Sequence, residues 1–161
     1  MLPRFFAAVV VVALFQAGGA EQKYQGPRPP KPDIPYLVHA DNLIEPEIAE
    51  AKEEDRGRET VNWIPGPSSP VRTPLAEPIF LIEAQKVVPE KLELYRFEVR
   101  RGRREITFPK RPSKDAPRPY RVMVTPIEGK LYRVEANQYL ENGEYCLSPA
   151  GSSQVFAFQI F

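Results

Sequence analysis

Nineteen prolines in 161 residues set the first limit on what this chain can fold into. That is about 12%, against an ordinary usage of about 5%. Proline lacks the amide hydrogen a helix needs and clashes with the preceding turn, so a chain punctuated this often is not a bundle of long helices. Short strands separated by turns remain open to it. Apolar residues make up 42% of the sequence, enough for one modest core. A single Cys excludes a disulfide framework, a Cys-rich zinc module and an intrachain disulfide, and a single His excludes a multi-histidine metal site.

The first twenty residues read as an address. Met1 to Arg4 carry one positive charge, Phe5 to Phe15 (FFAAVVVVALF) form an apolar run, and Gln16-Ala17-Gly18-Gly19-Ala20 offers small residues for a peptidase. This is the pattern of a cleavable signal peptide, cut after Ala20. Eleven apolar residues rise about 16 Å as a helix, short of a hydrocarbon core of about 30 Å, which disfavours a retained anchor. The expected compartment is therefore secreted or periplasmic, with no transmembrane span left after cleavage. Loss of Arg4 balances bases against acids, so nothing in the net charge points to nucleic acid or an anionic membrane as a general partner.

Residues 21–35 include QGPRPPKPDIP, with Pro at 27, 29, 30, 32 and 35, and are expected to form an extended, solvated polyproline linker. Residues 36–77 are expected to be largely irregular. Tyr36 to His39 has strand character. Pro46 to Arg56 (PEIAEAKEEDR) predicts a short acidic helix, with Pro46 at its first position, Glu45 and Glu47 at its positive end and Gly57 as its stop. The Pro65-Gly66-Pro67-Ser68-Ser69-Pro70 stretch excludes regular structure.

From Pro78 to Phe161 the pattern changes to short apolar runs bounded by turns, and this segment is expected to be the folded domain, with a start near 60 as the other boundary. About seven strands are expected. The phase of Leu92 to Val99 (LELYRFEV) breaks between Leu94 and Tyr95, as a bulge or a strand buried on both sides would require. Turns are expected at Arg100–Arg103 and Glu128–Lys130, and the last two strands at Glu144–Leu147 and Val155–Phe161. Period-two alternation places Phe80, Ile82, Leu94 or Tyr95, Phe97, Ile106, Phe108, Val122, Val124, Leu131, Val134, Leu140, Tyr145, Leu147, Phe156, Phe158 and Ile160 inside.

One motif is sharper. Leu140-Glu141-Asn142-Gly143-Glu144-Tyr145 has the form L-x-x-G-x-Y before a strand, and resembles the tyrosine corner of immunoglobulin-like and fibronectin type III-like sandwiches. The resemblance covers only about the last 30 residues. It implies an all-β, antiparallel sandwich in which Tyr145 closes the corner before the penultimate strand and Gly143 makes the tight turn, with Leu140 opening the motif. Antibody domains place a Cys two residues after that Tyr. Here Cys146 is adjacent and has no second Cys to pair with, so the resemblance concerns architecture and not the antibody superfamily.

The sequence shows no catalytic constellation, phosphate loop, zinc spacing or EF-hand loop, so neither enzymatic activity nor a cofactor or metal is expected. His39 lies near Asp41 at a strand end, without a nucleophile motif around it. Cys146 reads as a buried, inert thiol, with an intermolecular disulfide as the other reading. The candidate interaction surface is the basic segment 96–121, with ten bases against three acids, led by Arg96, Arg100, Arg101, Arg103, Arg104, Lys110 and Arg111. After secretion its partners would be an extracellular or envelope protein or an anionic polysaccharide. Two other readings stand beside that one. The charges shield sheet edges, or residues 41–60, with eight acids and three bases, fold over the basic hairpin. The functional expectation is a non-catalytic binding module. The alternative is a structural subunit of a cell-envelope or outer-membrane assembly, cued by the Phe-terminated run Val155–Phe161.

Overall fold

The computed structural model describes residues 23–161, so the leader read over 1–20 lies outside the described residues. Among them the chain forms fourteen strands and one short 3-10 turn, Pro89–Lys91. The strands are β1 (Tyr36–His39), β2 (Asn42–Ile44), β3 (Glu47–Glu50), β4 (Lys52–Arg56), β5 (Glu59–Pro65), β6 (Arg72–Thr73) and β7 (Ile79–Glu83). They continue with β8 (Leu92–Arg96), β9 (Glu98–Arg100), β10 (Arg103–Pro109), β11 (Val122–Glu128), β12 (Leu131–Ala136), β13 (Gly143–Pro149) and β14 (Gln154–Ile160). The class is all-β, as the prolines and alternation require.

Three sheets result. The first has the order β11-β12-β7-β1-β2, the middle sheet β3-β14-β13-β8 and the outer sheet β4-β5-β10-β9. All named pairings are antiparallel except β6, which runs parallel beside β14. One core joins the first and middle sheets through Leu37, Phe80, Ile82, Val134, Tyr145, Leu147, Phe156, Phe158 and Ile160. A second joins the middle and outer sheets through Ile64, Phe97, Ile106, Cys146, Val155 and Ala157. The middle sheet is thus covered on both faces. Its strands β13 and β14 each carry four consecutive buried residues, as two-sided strands do.

The expected two-layer sandwich of about seven strands is therefore corrected to three stacked layers. The added layer comes from two places. Residues 36–77, expected as irregular, hold β1 to β6. And the chain changes sheets at Phe97: β8 pairs with β13 in the middle sheet, whereas β9 pairs with β10 in the outer one. The phase break in LELYRFEV marks this crossing. Leu92 and Leu94 face the first core, and Phe97 enters the second while its N–H donates to the Glu144 carbonyl at 2.8 Å.

The expected helix over 46–56 is corrected to β3 and β4. As a helix, Ile48, Ala49 and Ala51 would bury little. As strands, Glu47–Glu50 complete the edge of β14, and Lys52–Arg56 pair residue by residue with Glu59–Trp63. Helix propensities differ by less than about 1 kcal/mol per ordinary residue, so a full ladder overrides them. The β4–β5 turn carries Gly57 at φ 71, and the β9–β10 turn has both Arg101 and Gly102 at positive φ (52 and 73). Both follow the mirror-image geometry that suits right-twisted hairpins.

The Pro-rich run has no regular element over 23–35, but it is fastened rather than free. The Asp33 N–H donates to the Glu83 carbonyl at 2.9 Å, and its Oδ1 accepts from the N–H groups of Gln85, Lys86 and Val87 at 2.8–3.0 Å. Arg28 pairs with Glu83 and Glu128, and Ile34 packs against the first core. Burial opposes the Asp33 charge, but the three amide donors hold its carboxyl below the ordinary range.

Of the residues expected inside, most are buried. Tyr95, Phe108, Val122 and Val124 are half-buried. Tyr95 and Phe108 are so because they line an opening between sheets, and Val122 and Val124 because β11 is an edge strand.

Candidate functional site

The basic segment and the acidic segment meet. Arg103 donates to Glu54 at 2.7 Å and Arg104 to both Glu47 oxygens at 2.7 Å, while Lys110 pairs with Asp55. Arg96 pairs with Glu141, and Arg100 with its neighbour Glu98. Of the seven candidate interaction residues, only Arg101 and Arg111 lack an ion-pair partner among the described residues. Arg104 is 1% exposed and is corrected from a surface contact to an interior tie. Its guanidinium also donates to the Gly66 and Pro65 carbonyls at 3.0 and 2.9 Å and lies 3.7 Å from Glu144. Strand register explains the pattern. β5 lies between β4 and β10 in the outer sheet, which brings Glu54 and Asp55 near Arg103 and Lys110, whereas Glu47 reaches Arg104 from β3 of the middle sheet.

On the far face of the outer sheet, the Trp63 ring lies 4.4 Å from the Arg103 guanidinium and 5.1 Å from the Lys52 ammonium. Glu105, 1% exposed, accepts from Arg103 and Arg56 there. Burial raises the carboxyl pKa of Glu47 and Glu105, but hydrogen bonds from Arg104 and Ser69 to the first, and from Arg103 and Arg56 to the second, outweigh it. Both are held below the usual value of 4.5. Depressed folded values mean that this stability is complete above the unfolded pKa and lost as pH falls through the folded one. The urea midpoint is therefore expected to hold from neutral pH to about pH 5 and to fall below it. In Glu105→Gln it starts lower at neutral pH and falls less steeply in acid. Equal acid slopes in the two proteins would show that Glu105 is not part of the transition.

The tyrosine-corner residues are brought together. Tyr145 is fully buried, and its hydroxyl donates to the Glu141 carbonyl at 2.8 Å. Its ring stacks on Phe158 at 5.9 Å and meets Tyr120 edge-on at 5.9 Å. Leu140 is 1% exposed and its N–H donates to the Ala76 carbonyl at 2.9 Å. Gly143 differs from expectation. It opens β13 in strand pairing with Ile160, and a Cβ there would meet the Arg96 guanidinium at 3.1–3.4 Å. Its missing side chain admits Arg96 rather than making the turn.

The opening that the sequence did not disclose is a cleft of about 430 Å³ between the middle and outer sheets. Its aromatic wall is Tyr95, Phe97 and Phe108, with the Tyr95 and Phe108 rings edge-to-face at 5.8 Å. Glu53, Asn62 and Glu93 supply polar groups, and Cys146 lies at its base. The Tyr95 hydroxyl donates to Glu93 at 3.3 Å, and burial foremost, with the Glu93 charge next, pushes its pKa to about 12. The signal for this cleft was the same phase break that marks the change of sheet. The ring of Tyr95 leaves the first core there and turns to the gap.

Burial pushes the Cys146 thiol up to about 12, against a smaller opposing pull from Arg104. The thiol is neutral at physiological pH and therefore a poor nucleophile. Iodoacetamide is expected to modify Cys146 at pH 8 at less than about a hundredth of the rate seen in urea-unfolded chain. Rapid alkylation of the native protein would place the thiol in an open conformation. His39 is exposed at the end of β1, and the Ser68 hydroxyl is engaged with Glu144 at 2.8 Å. Among the described residues no three His, Cys, Asp or Glu side chains converge as a metal site would, and no helix is long and apolar enough to cross a membrane.

No family model matches the chain, and no curated protein or solved structure matches it either.

Proposed function

We propose that this is a non-catalytic binding module of the secreted or periplasmic compartment, and that the cleft between the middle and outer sheets receives part of an extracellular or envelope partner, a protein or a polysaccharide. The observation that carries the reading is the aromatic-walled opening at Tyr95 and Phe108. Ligand sites are concave, mostly apolar and furnished with a few polar groups, and a volume of about 430 Å³ falls in their usual range. The compartment rests on the leader read over residues 1–20. The sandwich kinship with immunoglobulin-like and fibronectin type III-like domains rests on the Tyr145 corner and applies to the first and middle sheets. The basic segment is a weaker candidate surface, because five of its seven leading residues already have anionic partners within the chain.

Asn62→Trp places a large side chain inside the cleft and tests the reading. A panel of immobilised envelope polysaccharides and short synthetic peptides, read by biolayer interferometry, is expected to contain ligands for the natural chain. Their affinity should fall at least tenfold in Asn62→Trp at an unchanged melting temperature. Ligands that bind both proteins alike would move the site elsewhere.

A further inference from the structure

We infer that the ligand of this cleft is an organic cation, an ammonium or guanidinium carried on an apolar stem. The inference rests on the cleft being a ligand site and specifies what that site selects. The charged residues on its lining are Glu53 and Glu93 alone. Neither has a Lys or Arg nitrogen within 4 Å among the described residues, although the acids beside them in the fold do. Glu47, Glu54, Asp55 and Glu105 are each paired. The nearest base along β4, Lys52, is turned to the opposite face of the sheet, over Trp63. The lining of the cleft thus carries two carboxylates and no countercharge.

The aromatic wall points the same way. Aromatic faces carry the negative end of the ring quadrupole and attract a cation placed over them, more strongly as water is excluded. Tyr95 and Phe108 meet edge-to-face, which fixes both rings, and the Tyr95 hydroxyl holds the Glu93 carboxylate beside them at 3.3 Å. A cation on an apolar stem satisfies all three features: stem against Phe97 and Ile106, charge over a ring face, hydrogen bonds to a carboxylate. An anion would meet two carboxylates, and a neutral ligand would leave them without a countercharge.

The same chemistry is offered by a free amine or by a Lys or Arg side chain in a peptide, and titration calorimetry with defined probes separates the two. The probes are n-butylamine, agmatine and acetyl-Gly-Arg-Gly-amide, with n-butanol and butyrate as neutral and anionic isosteres of the first. Agmatine or the peptide is expected to bind, and n-butanol and butyrate at least tenfold more weakly than n-butylamine. Binding of the cations should weaken at least tenfold in Glu93→Gln with Glu53→Gln, and also in Tyr95→Leu. The Gln pair keeps side-chain shape, so an unchanged melting temperature certifies the fold. Binding of the peptide alone assigns the source to a protein, and binding of agmatine as well assigns it to any guanidinium. The inference is overturned if butyrate or n-butanol binds as well as n-butylamine, if the Gln pair leaves cation affinity unchanged, or if no cation binds. A neutral ligand lost in Asn62→Trp would overturn the cation while leaving the binding module standing. Loss of both would require that no ligand of any charge responds to Asn62→Trp.

Discussion

Replacing Arg104 by methionine is expected to cost about 3–5 kcal/mol of folding free energy, a large share of the roughly 5–15 kcal/mol that holds a domain together. Methionine approximates the volume of the arginine stem, so packing is not what the change removes. Arg104 spans the interface of the middle and outer sheets from β10. It grips Glu47 of β3 with a two-pronged hydrogen bond, holds the Pro65 and Gly66 carbonyls, and lies 3.7 Å from Glu144 of β13. Without it the Glu144 carboxylate, 5% exposed, keeps only Ser68 and the Ser69 N–H as donors, and two carbonyls lose theirs. Breaking a buried pair from one side is costly because the other charge stays behind. Urea denaturation measures the cost. Adding Glu144→Gln to Arg104→Met should restore part of it, since one of the two carboxylates left by the guanidinium is then neutral. A single-variant cost below about 1 kcal/mol would show that the guanidinium is dispensable to the layering.

Phe158→Ala is expected to cost about 3–5 kcal/mol as well, for the opposite reason. Its ring is fully buried in the first core, 5.1 Å from Phe80 and 5.9 Å from Tyr145. These neighbours stand on different sheets, so the cavity left by alanine cannot close without moving a strand. Met123→Ala, on the exposed face of β11, is the control and should change stability by less than about 0.5 kcal/mol. A Phe158→Ala midpoint close to the natural protein's would mean that Phe158 does not pack between the first and middle sheets.

Alternation made the inner faces of β7, β12, β13 and β14 readable, because each buries every second side chain in one core. It failed at Pro46–Arg56, where the residues favour a helix taken alone. Their strand state depends on partners far along the chain, β14 for Glu47–Glu50 and the acid-to-base pairing with Arg103, Arg104 and Lys110. Local propensity contains no information about such partners. The same gap hid the role of Arg104. A run of bases looks alike whether its members face water or a buried carboxylate, and only register decides. The cleft was half visible. The Leu94–Tyr95 phase break announced a change of surroundings, but not that Phe108 and Glu53 would stand opposite. Tyr145 was readable because its motif is local and its hydrogen bond closes over four residues.

The double coverage of β14 has a kinetic corollary. Phe156, Phe158 and Ile160 complete one core while Val155 and Ala157 complete the other, and the strand's borders come from residues 47–50, 72–73 and 143–147. A polypeptide emerging from its N-terminal end therefore has no finished core until this segment arrives. Such high contact order places refolding in the millisecond-to-second range rather than microseconds. It also makes the half-emerged chain, with its open strand edges, the state most in need of a chaperone.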